Sequence, residues 1–130
     1  MREKSDFLIE TDLIIEHLTF DKTVLKSSLE IAMEKGFCFT TVINSSELLF
    51  AAKSDIEKKY IHQLLSALKV LGLNSRYSFT VNEYKGKVLN VRDAIICAVA
   101  KINKLQILTN NPDKFNLTGL EILHPNDLRG

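Results

Sequence analysis

At 130 residues, with 45% hydrophobic and 25% charged residues, the chain has the size and composition of one globular domain, residues 1–130, that buries its own core without disulfides or structural metal. Five Gly and two Pro leave no linker or low-complexity tract, and a formal net charge of +1 leaves any phosphate-binding surface to local patches of basic residues. Cys38 and Cys97 sit in apolar runs with no Cys or His at ligand spacing, so they read as reduced core thiols and predict a cytoplasmic protein. Charges at Arg2, Glu3, Lys4 and Asp6, and no apolar run of signal or membrane-span length, predict no membrane association.

In chain order, Phe7-Leu8-Ile9 reads as a buried parallel strand that ends on Glu10-Thr11-Asp12. A helical turn over Leu13 to Leu18 follows. Asp21 then caps a helix with Leu25, Leu29, Ala32 and Met33 on one face, stopped by Gly36. Phe37 to Ile43 is β-branched and aromatic and reads as strand two, with Asn44 starting a helix that carries Leu48, Leu49, Ala51 and Ala52. Asp55 to about Ala67 is an amphipathic helix with Ile56, Tyr60, Ile61, Leu64 and Leu65, and Val70 to Leu73 is a short third strand. The least periodic stretch, Asn74 to Leu89, holds a short helix around Phe79 to Tyr84 and a turn at Lys85-Gly86-Lys87. Val91 to Asn103 is a helix, Leu105 to Thr109 strand four and Leu120 to Leu123 strand five. The alternation predicts a three-layer α/β/α domain around a mainly parallel, Rossmann-like sheet of about five strands.

Ligands of open parallel sheets bind beyond the carboxyl ends of the strands. Four polar clusters fall there: Glu10-Thr11-Asp12, Glu47, Asp93, and Thr109-Asn110-Asn111-Pro112-Asp113. Collected carboxylates repel one another unless a cation intervenes, and hard oxygen ligands suit Mg²⁺ or Mn²⁺. Three of the four clusters also have a structural reading. Asn44-Ser45-Ser46-Glu47 has capping-box spacing, Asp93 in a first turn complements the helix dipole, and Glu10 and Asp12 are ordinary strand-end residues.

The order of the four clusters resembles the PIN family of metal-dependent ribonucleases, most closely the VapC-like toxins of type II toxin–antitoxin pairs. Phe7 to Ile15 resembles the opening motif, Thr40 to Leu49 the second, Asn90 to Ala100 the third, and Ile107 to Phe115 the fourth. The resemblance implies a divalent-metal endoribonuclease with Glu10, Glu47 and Asp93 as catalytic acids and metal ligands. Asp12, Asn111 and Asp113 are then further ligands, with Thr11 and Thr109 in support. It further implies an RNA substrate, a VapB-like antitoxin that lays a segment in the acidic groove, and a homodimer formed through helix faces such as Ile56, Tyr60 and Leu64. Two positions depart from the pattern: Glu10 stands where the family has Asp, and the neutral Asn111 takes the fourth acid position, with Asp113 near enough in sequence to compensate.

Lys53, Lys85, Lys87, Arg92, Lys101 and Lys104 are candidate guides for an RNA backbone or simple solvating charges. His17, His62 and His124 are too scattered for a zinc motif, and no CxxC pair, HExxH, GxGxxG or Walker pattern occurs. His62 reads as a surface or packing residue, and Tyr60, Phe79 and Tyr84 as core or interface aromatics. Two other readings stand beside the ribonuclease. One is a catalytically impaired PIN module serving as an RNA-binding or protein-interaction scaffold. The other is a receiver-like signalling domain, which fits less well because no lysine closes the last strand.

Overall fold

A computed structural model describes residues 5–19 and 26–129. Five parallel strands, β1 (Ser5–Ile9), β2 (Gly36–Thr41), β3 (Lys69–Leu71), β4 (Gln106–Leu108) and β5 (Ile122–Leu123), form one sheet in the order β3-β2-β1-β4-β5. The order reverses at β1, so the crevice beyond its carboxyl end is where the topology opens a site. Helices α1 (Thr11–Thr19), α2 (Ser28–Lys35), α3 (Val42–Ala51), α4 (Asp55–Ser66), α5 (Ser75–Val81) and α6 (Val91–Asn103) supply the crossovers.

Alternation along the central strands assigns the two cores. Phe7 and Ile9 of β1 and Leu108 of β4 pack with Leu13, Leu29, Leu48, Ile61 and Leu65 on the α1–α4 side. Leu8 and Ile107, one residue out of step, pack with Tyr77, Ile96, Val99 and Phe115 on the α5–α6 side. A strand buried on both faces cannot show polar alternation, which is why β1 reads as a continuous apolar run. The three-layer expectation holds, with all five strands parallel.

Several boundaries move. The helix expected to begin at Asp21 is described from Ser28, with Ser27 as N-cap in a capping box with Glu30; Asp21 and Leu25 lie outside the described residues. The helix after β2 begins at Val42, because the Thr41 hydroxyl accepts from the N–H groups of Ile43 and Asn44, and Asn44 closes that capping box. Glu47 therefore sits in the second turn, free of a capping role. The amphipathic face of α4 divides: Ile61 and Leu65 are buried, whereas Ile56 and Tyr60 are exposed. Tyr84 is core, Phe79 stands exposed, and His62 is at the surface. Cys97 is fully buried and Cys38 partly so; both are free thiols pushed up to about 12 by burial. No described helix is long and apolar enough to cross a membrane.

Gly36 both ends α2 and starts β2, with φ −176°, an extended value any residue adopts. Its glycine identity answers to space. A Cβ there would lie 1.8 Å from the carbonyl oxygen of Ser5, its registered partner on β1. Gly36→Ala is expected to cost about 1–3 kcal/mol, as overpacking does, read as a lower urea midpoint at unchanged slope. An unchanged midpoint would mean the amino end of β1 is free to move aside.

Candidate active site

Glu10 directly follows β1 and continues its ladder, its N–H donating to the Leu108 carbonyl at 3.1 Å. That bond, made at the reversal point of the sheet, fixes the carboxylate, which is 2% exposed. Glu47 arrives from the second turn of α3 and is half in solvent. Asp93 is the third residue of α6, its N–H held at 2.8 Å by the capping Asn90 side chain, and its carboxylate is buried. The expected trio thus converges from three elements.

Cations stand among these acids. The Arg92 guanidinium donates through Nη1 to Glu10 Oε2 (2.7 Å) and Asp93 Oδ1 (3.0 Å), and through Nη2 to Glu10 Oε1 (2.9 Å) and Glu47 Oε1 (2.8 Å). Its Nε reaches Glu47 Oε2 at 3.1 Å. Lys114, on the 3-10 turn Pro112–Phe115, lies 3.1 Å from Glu10 Oε2 and 3.6 Å from Asp93 Oδ1. Burial by itself would raise the pKa of Glu10, but the bonds and charge of Arg92, with Lys114 behind them, outweigh it and hold the carboxyl below its ordinary value. Glu47 follows the same balance: burial raises it, and bonds from Arg92 and Thr11 bring it below the usual value against repulsion from Glu10. Burial works against the charged form of Arg92 too, yet its bonds to Glu10 and Glu47 leave it more firmly protonated than usual.

Neutral groups orient the acids. The Thr11 hydroxyl donates to Glu47 Oε1 at 2.6 Å. The buried Asn44 carboxamide accepts from the Thr41 N–H and hydroxyl and donates to Glu10 Oε1 (3.0 Å) and Thr11 Oγ1 (2.9 Å). With both N–H groups and both lone pairs engaged, its orientation is determined.

Of the other predicted residues, Asp12, Thr109 and the backbone of Asn111 form a separate network. Asp12 Oδ2 accepts from Thr109 Oγ1 (2.8 Å) and the Asn110 N–H (3.0 Å), tying α1 to the end of β4; its buried Oδ1 has no hydrogen-bond partner among the described residues. The Thr109 hydroxyl also accepts from the Asn111 N–H at 3.1 Å. Asn111 and Asp113 are exposed. Sequence reasoning missed Asn44 and Lys114 and took Arg92 for a surface guide. The signal available for Asn44 was its place one turn before Glu47; for Lys114 there was none.

Both depressed carboxyls make stability depend on pH. A group whose pKa is lowered by folding stabilises the protein above its unfolded value, here 4.5, and that contribution is lost as pH falls through the folded value. Melting temperature is expected to fall as pH drops below about 4.5, with most of the effect from Glu10, because Glu47 and Glu16, whose carboxyl is, against burial, also held low by bonds from Ser28 and Asn110, are solvent-screened. Glu10→Gln should flatten that acid limb; an unaltered limb would place the titrating group elsewhere.

A family profile described as PIN domain matches residues 7–119. The chain belongs to the PIN domain family. Among curated proteins none matches. Solved structures similar to this PIN domain include a toxin–antitoxin complex from Klebsiella pneumoniae, at 20% identity and a TM-score of 0.75, covering 92% of this chain and 97% of that one. DNA-bound VapBC from Salmonella typhimurium is similar at 19% identity and 0.75, covering 93% and 98%. VapBC2 from Rickettsia felis, bound to a DNA fragment from its promoter, gives 17% and 0.74, covering 92% and 98%. At these identities the likeness is one of fold.

Three carboxylates from separate elements offer the hard oxygen donors that Mg²⁺ and Mn²⁺ take. In kind, this PIN domain's acids fit such an ion. As they stand, no three acidic, His or Cys side chains among the described residues surround a common metal position, and the Arg92 guanidinium lies against all three acids.

Proposed function

We propose that this PIN domain is a divalent-metal-dependent endoribonuclease, the toxin of a VapBC-type pair. The observation that carries the reading is the convergence of Glu10, Glu47 and Asp93 on one cationic group beyond the carboxyl end of β1. These three would hold Mg²⁺ or Mn²⁺, which when bound supplies Lewis acidity toward the phosphate and lowers the pKa of a water. Asn44 and Thr11 hold Glu10 and Glu47 in place, so the acids are positioned before RNA arrives. Asn111 and Asp113, exposed on the turn that carries Lys114, are available as outer oxygen groups, and Asp12 steadies that turn through Thr109. Lys53, Lys85, Lys87 and Lys104 are exposed and offer phosphate contacts, whereas Lys101 pairs with Glu83.

An antitoxin partner is supported by a groove of about 890 Å³ lined by Ile15, Leu18, Leu48, Tyr60 and Leu64, with Glu47 also on its wall. A segment seated there reaches a member of the acidic cluster, and the similar complexes pair a toxin with an antitoxin. The exposed Ile56 and Tyr60 of α4 support a homodimer contact. A second reading, an RNA-binding scaffold without catalysis, is favoured by the two cations already set among the acids.

The test is incubation of the purified protein with a structured RNA mixture in Mn²⁺, Mg²⁺ or EDTA. Cutting that needs the metal supports the ribonuclease. RNA bound but uncut under every metal would replace it with the scaffold.

A further inference from the structure

We infer that Arg92 is a built-in counter-cation that occupies the place of the divalent ion in the metal-free protein, so that metal entry and withdrawal of the Arg92 side chain are one exchange. The inference rests on reading the acidic cluster as a cation site and adds how that site is kept when empty.

The guanidinium makes five N–H contacts to carboxylate oxygens of all three acids, two each to Glu10 and Glu47 and one to Asp93. That matches its five donors, and Nη2 also approaches Thr11 Oγ1 at 3.4 Å. Its placement is otherwise unfavourable. Arg92 is the second residue of a 13-residue helix, where the macrodipole disfavours positive charge, and desolvation adds to the cost. The surrounding carboxylates offset both penalties. Without Arg92 the cluster would hold three carboxylates, two of them almost fully buried, against Lys114 alone among the described residues.

Geometry makes the two occupants exclusive. Glu10 Oε2 and Asp93 Oδ1 both lie within 3.0 Å of Nη1. Metal–oxygen bonds to those same atoms, about 2.0–2.1 Å for Mg²⁺, made on the side where Nη1 sits would put the ion in contact with the guanidinium. Charge points the same way. Three carboxylates with Arg92 and Lys114 retain one negative charge; a divalent ion in place of Arg92, with Lys114 remaining, makes the cluster neutral, whereas all three cations together leave it positive. The exit is open, since the Arg92 side chain is a quarter exposed beside Glu47 at the rim and leaves by rotation about its own bonds.

The test is Mn²⁺ binding, read by the paramagnetic resonance of free Mn²⁺ and by calorimetry, on wild type, Arg92→Gln, Arg92→Lys and Asp93→Asn. Arg92→Gln is expected to bind Mn²⁺ about tenfold or more tightly than wild type, since the ion no longer displaces a paired charge. In EDTA it should melt below wild type, and Mn²⁺ should raise its melting temperature more. Low-millimolar guanidinium, against matched NaCl, should weaken Mn²⁺ binding to Arg92→Gln and leave wild type unchanged. Equal affinity of wild type and Arg92→Gln, with binding lost in Asp93→Asn, would overturn the inference and leave the cation site standing. Absence of Mn²⁺ binding in every variant would remove both. Should Arg92→Gln not fold, Arg92→Lys decides: a lysine reaches fewer carboxylates and is expected to bind Mn²⁺ more tightly than wild type, and affinity equal to wild type would overturn the exchange.

Discussion

Asp93→Asn is expected to lower metal-dependent RNA cleavage by about a hundredfold or more while the melting temperature moves by only a few degrees. The asymmetry comes from what the substitution removes. The backbone N–H of residue 93 still donates to Asn90, so the start of α6 is intact. A carboxamide oxygen still accepts from Arg92 and Lys114. What disappears is one of three negative charges, and a divalent ion depends on charge far more than a capped helix does. Cleavage rates in Mn²⁺ and in EDTA, with a circular dichroism melt of the same preparations, check both halves. Normal cleavage by the variant would place the catalytic acids elsewhere; a collapse of the melt would make Asp93 a structural residue first.

Phe115→Ala is expected to destabilise the protein by about 3–5 kcal/mol, the usual cost of emptying a fully buried aromatic site. Phe115 is 0% exposed in the core of the α5–α6 side, which includes Tyr84, Ala94 and Ile107. It also closes the 3-10 turn that carries Lys114, whose Nζ lies 5.2 Å from the centre of the Phe115 ring. Loss of the ring therefore loosens the support of a cation that faces Glu10 and Asp93. Phe115→Leu, which keeps most of the volume, should cost less, about 1.5 kcal/mol. Urea denaturation of both variants distinguishes the packing account, in which the two costs differ, from a purely local effect on the turn, in which they would be alike.

The sequence by itself determined the class of fold, and it singled out Glu10, Glu47 and Asp93, which the fold brings together around Arg92. Strand and helix periods act over a handful of residues, so alternation, the bounds of α6 between Asn90 and Asn103, and the position of Glu10 at a strand end were legible without any long-range contact. Tertiary structure decided what rests on contacts between distant residues. Asn44 read as the start of α3, yet Thr41 caps the helix, and the Asn44 carboxamide is instead engaged by the Thr41 bonds and by Glu10 and Thr11, more than thirty positions away. Gly36 read as a helix stop, but its lack of a side chain answers to the approach of Ser5 on the neighbouring strand. Arg92 read as surface charge because nothing within its own helix distinguishes it from a solvated arginine. Its partner Glu10 is 82 residues away, and it is the field of three carboxylates gathered by the sheet that draws the guanidinium inward.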